Sequence, residues 1–168
     1  GLVFQDTSLE IVGSTVRKDI AFGLENLRME RERIQETTNK MISLFNLEKV
    51  QELPPSVLSG GEKRRLSIAG VLAMEPEIIL MDEPLANLDY PSVKMVLSTL
   101  IELKKKGVTV IIVSHEAEKL LSLTDNTIIL SDGKLVDMGP SIDMMDTLRE
   151  NEVYLPPKAS FEDLSWLK

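Results

Sequence analysis

The chain of 168 residues has no cysteine, which removes disulfides, thiol catalysis and thiolate metal sites together and is compatible with a reducing compartment. It also has no apolar run near the ~18 residues that cross a bilayer, and no basic segment followed by an apolar one at its start. Any link to a membrane is therefore expected to go through a partner. Positive charge is scarce: 19 Lys and Arg stand against 27 Asp and Glu, giving a net charge of −8. A nucleic-acid surface needs a local basic excess, so no nucleic-acid partner is expected. What remains is 43% apolar, enough for one globular domain that buries roughly two thirds of its unfolded surface.

The chain opens on Gly1 and runs straight into "GLVFQ", which reads as the last residues of a strand. An N-terminally truncated domain is the expectation. In "LEIVGSTVRKDIAFGLENL", Ser14 or Thr15 can cap a short helix with Val16, Ile20 and Leu24 on one face. In "MERERIQETTNKMISLFNLEKV", Ile34, Met41, Ile42 and Phe45 recur at helical spacing, and Pro54 and Pro55 end the segment.

Beyond Glu77 the period changes. "IILM" and "VTVIIV" are short apolar runs without polar alternation, the pattern of strands covered on both faces. Between them "YPSVKMVLSTLIELKKKG" predicts a helix, with Pro91 in its first turn, lysines in its last and Gly107 as its stop. Strand, helix, strand predicts a parallel pair. "HEAEKLLSL" predicts a further helix, "NTIILSDGKLVDMG" a hairpin turning at Asp132 and Gly133, and "SIDMMDTLREN" a last helix before an irregular tail, "VYLPPKASFEDLSWLK".

The stretch "SVLSGGEKRRLSIAGVLAMEPEIILMDEP" concentrates the chemistry. Ser59 and Glu62 have capping-box spacing, and Gly60 and Gly61 leave the first-turn amides free of side chains. A helix N-terminus carries about half a positive charge and several unpaired N–H donors, so it can receive a phosphate without a lysine. Taken alone, Ser-Gly-Gly-Glu is also an ordinary helix start. Asp82 and Glu83 end the strand "IILM", and ligands of open parallel sheets bind at the carboxyl ends of strands. Adjacent carboxylates there suit a hard cation such as Mg²⁺. His115, the single histidine, follows the second strand and would open on the same edge if the strands are neighbours. The basic run 63–65 predicts a solvated helix face.

"LSGGEKRRLSIAGVLAMEPEIILMDEPLANLD" resembles, in order and spacing, the signature motif, Walker B segment and D-loop of the ATP-binding cassette ATPases; "VFQ" is similar to the Q-loop and "IIVSHE" to the switch-histidine segment. "QDTSLEIVGSTVRKDIAFGLEN" looks most like the energising subunits of energy-coupling-factor importers for vitamins and cobalt or nickel ions. The resemblance implies an α/β fold, a RecA-type parallel core with an inserted helical subdomain. Its parts would be 1–5 as the end of a core strand, 6–75 as the helical subdomain, 76–140 as the ATPase core and 141–168 as a C-terminal helix and tail.

It also implies roles. Asp82 would hold the Mg²⁺ of Mg-ATP, and Glu83 would act as general base on water. His115 would contact the γ-phosphate, Gln5 would sense metal and water, and Asp89 would order a dimer interface. Ser59, Gly60 and Gly61, with Glu62 in the same nucleotide-binding set, would meet a nucleotide seated on the opposite subunit. The implied partners are a second ATPase subunit and an integral membrane transport subunit docked on the helical subdomain, at the cytoplasmic face of the cell membrane.

One family element is missing. No G-x-x-x-x-G-K-[ST] occurs, and "VGSTV" lacks its glycine spacing and lysine. The 168 residues alone are therefore expected neither to bind ATP well nor to hydrolyse it; the resemblance also implies a phosphate-loop strand beside the Walker B strand, and its absence is expected to expose an apolar edge around 78–81. Two other functions compete. A DNA-repair type ATPase of the same family would carry a long coiled coil between Gln5 and Ser59, where no heptad is sustained. A non-catalytic interaction or regulatory module would use the helical subdomain without the chemistry.

Overall fold

Thr15 opens the first helix of the computed structural model, its side chain accepting the amide of Lys18. The structure describes residues 1–164 and 166–167. Helix α1 (Val16–Asn26) buries Val16, Ile20, Ala21 and Leu24, the predicted face plus one alanine. Helix α2 (Arg31–Leu44) buries Thr38, Met41 and Ile42, and Phe45 just beyond it is wholly buried. The prolines then divert the chain through a short 3-10 turn, Pro55–Val57, into α3 (Gly60–Ala73). Helices α1, α2 and α3 pack on one another. Each fully buried Ile, Leu or Phe there contributes about 1.5–3 kcal/mol of transfer free energy, far more than helix propensity supplies.

Strands β1 (Leu2–Val3), β2 (Ile78–Asp82) and β3 (Thr109–Val113) form a parallel sheet in that order. Between β2 and β3 runs α4 (Tyr90–Lys105), capped by Asp89, with Pro91 in its first turn and Val93, Val96, Leu97 and Leu100 buried. Strand, helix and parallel strand are thus as expected.

Two expectations about this sheet are corrected. Strand β2 has no free edge at 78–81: it is the middle strand, Leu80 opposite Leu2 on one side and Ile111 on the other. The stub "GLV" itself supplies the neighbour, the Gly1 ammonium donating to the Ile78 carbonyl at 2.6 Å. Nor are the strands covered on both faces. Val3, Ile79 and Met81 are buried, whereas Leu80 is 37% exposed, Ile111 47% and Val113 55%. An unbroken β-branched run says that both faces are apolar; whether a second layer covers each depends on what packs there, and α4 packs against β3.

Contacts divide the chain into two units, Gly1–Val113 and Ser114–Lys168. The second holds α5 (Ala117–Leu120) and an antiparallel hairpin of β4 (Asn126–Ser131) and β5 (Lys134–Pro140). Its turn is where the sequence puts it. Asp132 and Gly133 both have positive φ, 50° and 71°, the geometry that matches strand twist in two-residue hairpin turns and that glycine adopts at no steric cost. The last helix is shorter than expected: 141–143 form a 3-10 turn, and α6 is Met145–Glu150. Leu121, Ile129, Met144, Leu148, Leu155 and Leu164 make a separate small core. The tail expected to be irregular contains a 3-10 turn, Phe161–Leu164; its Ser165 and Lys168 lie outside the described residues.

Candidate nucleotide-facing site

The N-terminal tip of α3 has a closed capping box. The Ser59 side chain accepts the Glu62 amide at 3.3 Å, and Glu62 Oε2 receives the Ser59 amide at 2.8 Å and its hydroxyl at 2.7 Å. These bonds hold the Glu62 carboxyl below its ordinary pKa, the Ser59 hydroxyl contributing most and Arg65 adding attraction. Beyond the box the tip is bare. A Cβ at Gly60 would meet nothing within 4 Å, and one at Gly61 would touch only Leu88 at 3.9 Å. Ser59 and Gly60 are exposed.

Asp82 and Glu83 stand at the carboxyl end of β2, half-buried. Asp82 pairs in register with Val113, the last residue of β3. The chain turns at Glu83, whose φ of 46° is left-handed and whose amide donates to the Val113 carbonyl at 2.9 Å. A non-glycine residue there costs on the order of 1–3 kcal/mol, and such strain gathers where a side chain must be aimed. Leu85, 1% exposed, anchors the turn. Asp89 then caps α4, accepting the Ser92 amide at 3.1 Å; the Ser92 side chain first, then that amide, keep its carboxyl below the usual range. Asp89 thus has a structural duty of its own. His115 is exposed, two residues past the end of β3, in the second unit.

The basic run 63–65 is not the solvated face expected of it. Arg64 is 3% exposed and forks onto two carbonyls, Phe4 O and Gln5 O, each at 2.6 Å. Burial pulls its guanidinium below the ordinary value, while Glu10, Asp82, Glu83 and Asp6 push the other way. Arg64 therefore ties the segment carrying Gln5 to α3 and brings a positive charge to the acidic end of the sheet. Glu10 completes the tie, receiving the Phe4 amide and the Ser67 hydroxyl. Arg65 donates to the Ser92 hydroxyl at 2.8 Å. A signal for Arg64 did exist: it lies on the same helical stripe as Ile68 and Leu72, both buried.

Among the described residues no group of three or more His, Cys, Asp or Glu forms a metal cage. The adjacent carboxylates of Asp82 and Glu83 at the end of β2 would suit a cation held largely by a ligand's phosphates, the usual manner of Mg²⁺, better than a resident all-protein site; Gln5, exposed just beyond β1, is tied there through its carbonyl to Arg64. On another side of the unit, α1 and α3 border a groove lined by Val12, Phe22, Gly23, Leu27 and Met74. Val12 is 61% and Leu27 57% exposed there.

Residues 1–86 match the family model described as ABC transporter. The chain is 36% identical over 159 residues to the energy-coupling factor transporter ATP-binding protein EcfA of Methanocaldococcus jannaschii, covering 93% of this chain and 57% of that protein. It is 41% identical over 162 residues to EcfA2 of Mycoplasma mobile, covering 94% and 52%. Among solved structures it is similar to cbiO1 from Clostridium perfringens, described as part of the ABC transporter complex cbiONQ, with a TM-score of 0.75 at 30% identity over 93% of this chain and 64% of that one. The chain spans about half to three fifths of the length of these curated relatives.

Proposed function

Because the chain belongs to the ABC transporter family of ATP-binding cassette ATPases, we propose that it supplies the signature, Walker B and switch portions of an ATPase subunit that energises an importer of a vitamin or metal ion. The observation that carries this reading is the exposed, sterically empty tip of α3 together with Asp82 and Glu83 at the end of β2. In one copy, Gly60 and Gly61 present amides to the γ-phosphate of a nucleotide seated on a second copy, and the capping box of Ser59 and Glu62 holds that tip in shape for it. In that second copy Asp82 and Gln5 would hold the Mg²⁺ of Mg-ATP, which would supply neutralisation of phosphate charge. Glu83 takes the proton of the attacking water, its left-handed backbone aiming the carboxylate, and His115 donates to the γ-phosphate. Asp89 holds the start of α4 at the facing surface.

The 168 residues carry no phosphate-binding loop, so by themselves they bind Mg-ATP weakly and do not turn it over; micromolar binding by calorimetry on this chain would overturn that. The four segments 1–5, 6–75, 76–140 and 141–168 then serve as strand end, helical subdomain, core and tail. An integral membrane subunit docks on the helical subdomain, in the groove beside Phe22 and Leu27, at the cytoplasmic face. With a G-x-x-x-x-G-K-[ST] segment supplied upstream, Glu83→Gln should abolish turnover, by about 10²–10⁴-fold if the general base is lost, and leave ATP binding intact. Turnover that survives E83Q would remove Glu83 from this role.

A further inference from the structure

A cavity of about 370 Å³ opens between α2, the C-terminal end of α3 and α4, away from the residues discussed above. That volume falls within the roughly 300–1,000 Å³ of small-molecule sites. Its wall is apolar, with Met41, Leu72, Met95 and Leu103 prominent, and its rim carries Lys40, Lys106, Glu75 and Glu102.

The four rim charges are not equivalent. Glu75 is paired with Arg33 at 3.2 Å and Glu102 with Lys105 at 2.8 Å, both partners standing outside the lining. Among the described residues Lys40 and Lys106 form no salt bridge at contact distance, although the charge of Lys106 reaches Glu102. Glu75 and Glu102 each have a cation of their own, and Glu102 is drawn to Lys106 as well as Lys105, so the two rim lysines leave the mouth weakly cationic over an apolar floor. The chain's net charge of −8 opposes an anion only weakly at this point, because charges beyond about 8–10 Å are screened at ordinary salt. The long lysine stems can lie along apolar surface and leave their ammonium groups at the opening.

We propose that this cavity binds a single-chain carboxylate amphiphile, the alkyl body among Met41, Leu72, Met95 and Leu103 and the carboxylate at Lys40 and Lys106. Occupancy would bridge α2 to α4 and so stiffen the helical part of the unit against the sheet-bearing part. The assignment is independent of the nucleotide chemistry, since none of its residues belongs to that site.

The test titrates the 168-residue chain with dodecanoate and, separately, dodecanol, each below its aggregation concentration, by calorimetry. Saturable one-to-one binding of dodecanoate at least tenfold tighter than dodecanol is expected. The double charge reversal Lys40→Glu, Lys106→Glu, at exposed positions that leave the fold intact, should erase that preference. Met95→Trp, which fills the cavity, should remove binding of both; its fold is checked by circular dichroism, and hydrogen exchange in the unsubstituted chain should show α2 amides protected by dodecanoate. Equal binding of the two compounds overturns the headgroup assignment. Non-saturable uptake unaffected by M95W, as the open sheet face around Leu80 and Ile111 would give, overturns the site itself, and so does absence of binding.

Discussion

The first turn of α3 and the turn after it share a helix and behave as opposites. Ser59, Gly60 and Gly61 face open space, with the one local carboxylate folded back onto the cap. Arg64, next along, is 3% exposed and grips the backbone of Phe4 and Gln5. The first turn stands clear of the rest of the chain, and the second is fastened to the segment that carries Gln5. The contrast teaches that charge and exposure need not go together: the helix presents its polar amides to solvent and buries its guanidinium.

The largest effect should come from breaking the fastened end. Arg64→Ala leaves two part-buried carbonyl bonds unmade and an acidic cluster without its cation, and should cost about 3 kcal/mol by urea denaturation at unchanged m. Arg64→Lys should recover only part, because an ammonium lacks the planar fork that meets two acceptors. Lys63→Ala, next to it on the half-exposed side, should stay within about 0.5 kcal/mol. At the free end, Ser59→Ala removes the cap and should cost about 1 kcal/mol, read by the same denaturation.

Acid should act through Glu62. Its folded pKa lies below the unfolded value, so its contribution is fully present above the ordinary glutamate pKa, about 4.3, and is lost as pH falls through the folded value. Denaturation of the unsubstituted chain and of Glu62→Gln should therefore differ above that pH and converge below it. The smallest effect on stability belongs to Gly60→Asp. A Cβ there meets nothing, and an acid near a helix N-terminus is worth a few tenths of a kcal/mol in its favour, so the midpoint should hold or rise slightly. Its consequence should fall on nucleotide pairing instead.

The helices were legible because their signals are local: Thr15 and Ser59 as caps, the 3.6-residue stripe through Ile20 and Leu24, Pro91 and Gly107 as punctuation. The hairpin was legible from Asp132 and Gly133. Sheet order was not, because pairing of a stub as short as "GLV" with β2 is a long-range fact that no window of sequence contains. Coverage of the faces of β2 and β3 was misjudged for the same reason, apolar composition being silent about what packs on it. At the candidate site, the tip and the acid pair could be picked out from spacing. Arg64 escaped because a short basic run usually covers surface, and only its phase against Ile68 and Leu72 said otherwise.

The claim that each nucleotide site takes its helix tip from one copy and its acids from the other is tested most directly by mixing two inactive forms, with the phosphate loop supplied upstream. A Gly60→Asp copy paired with a Glu83→Gln copy has one ruined site and one in which an intact tip meets intact acids. Turnover should therefore return on mixing, although neither form alone shows it; a mixture as inactive as its parents would contradict the account.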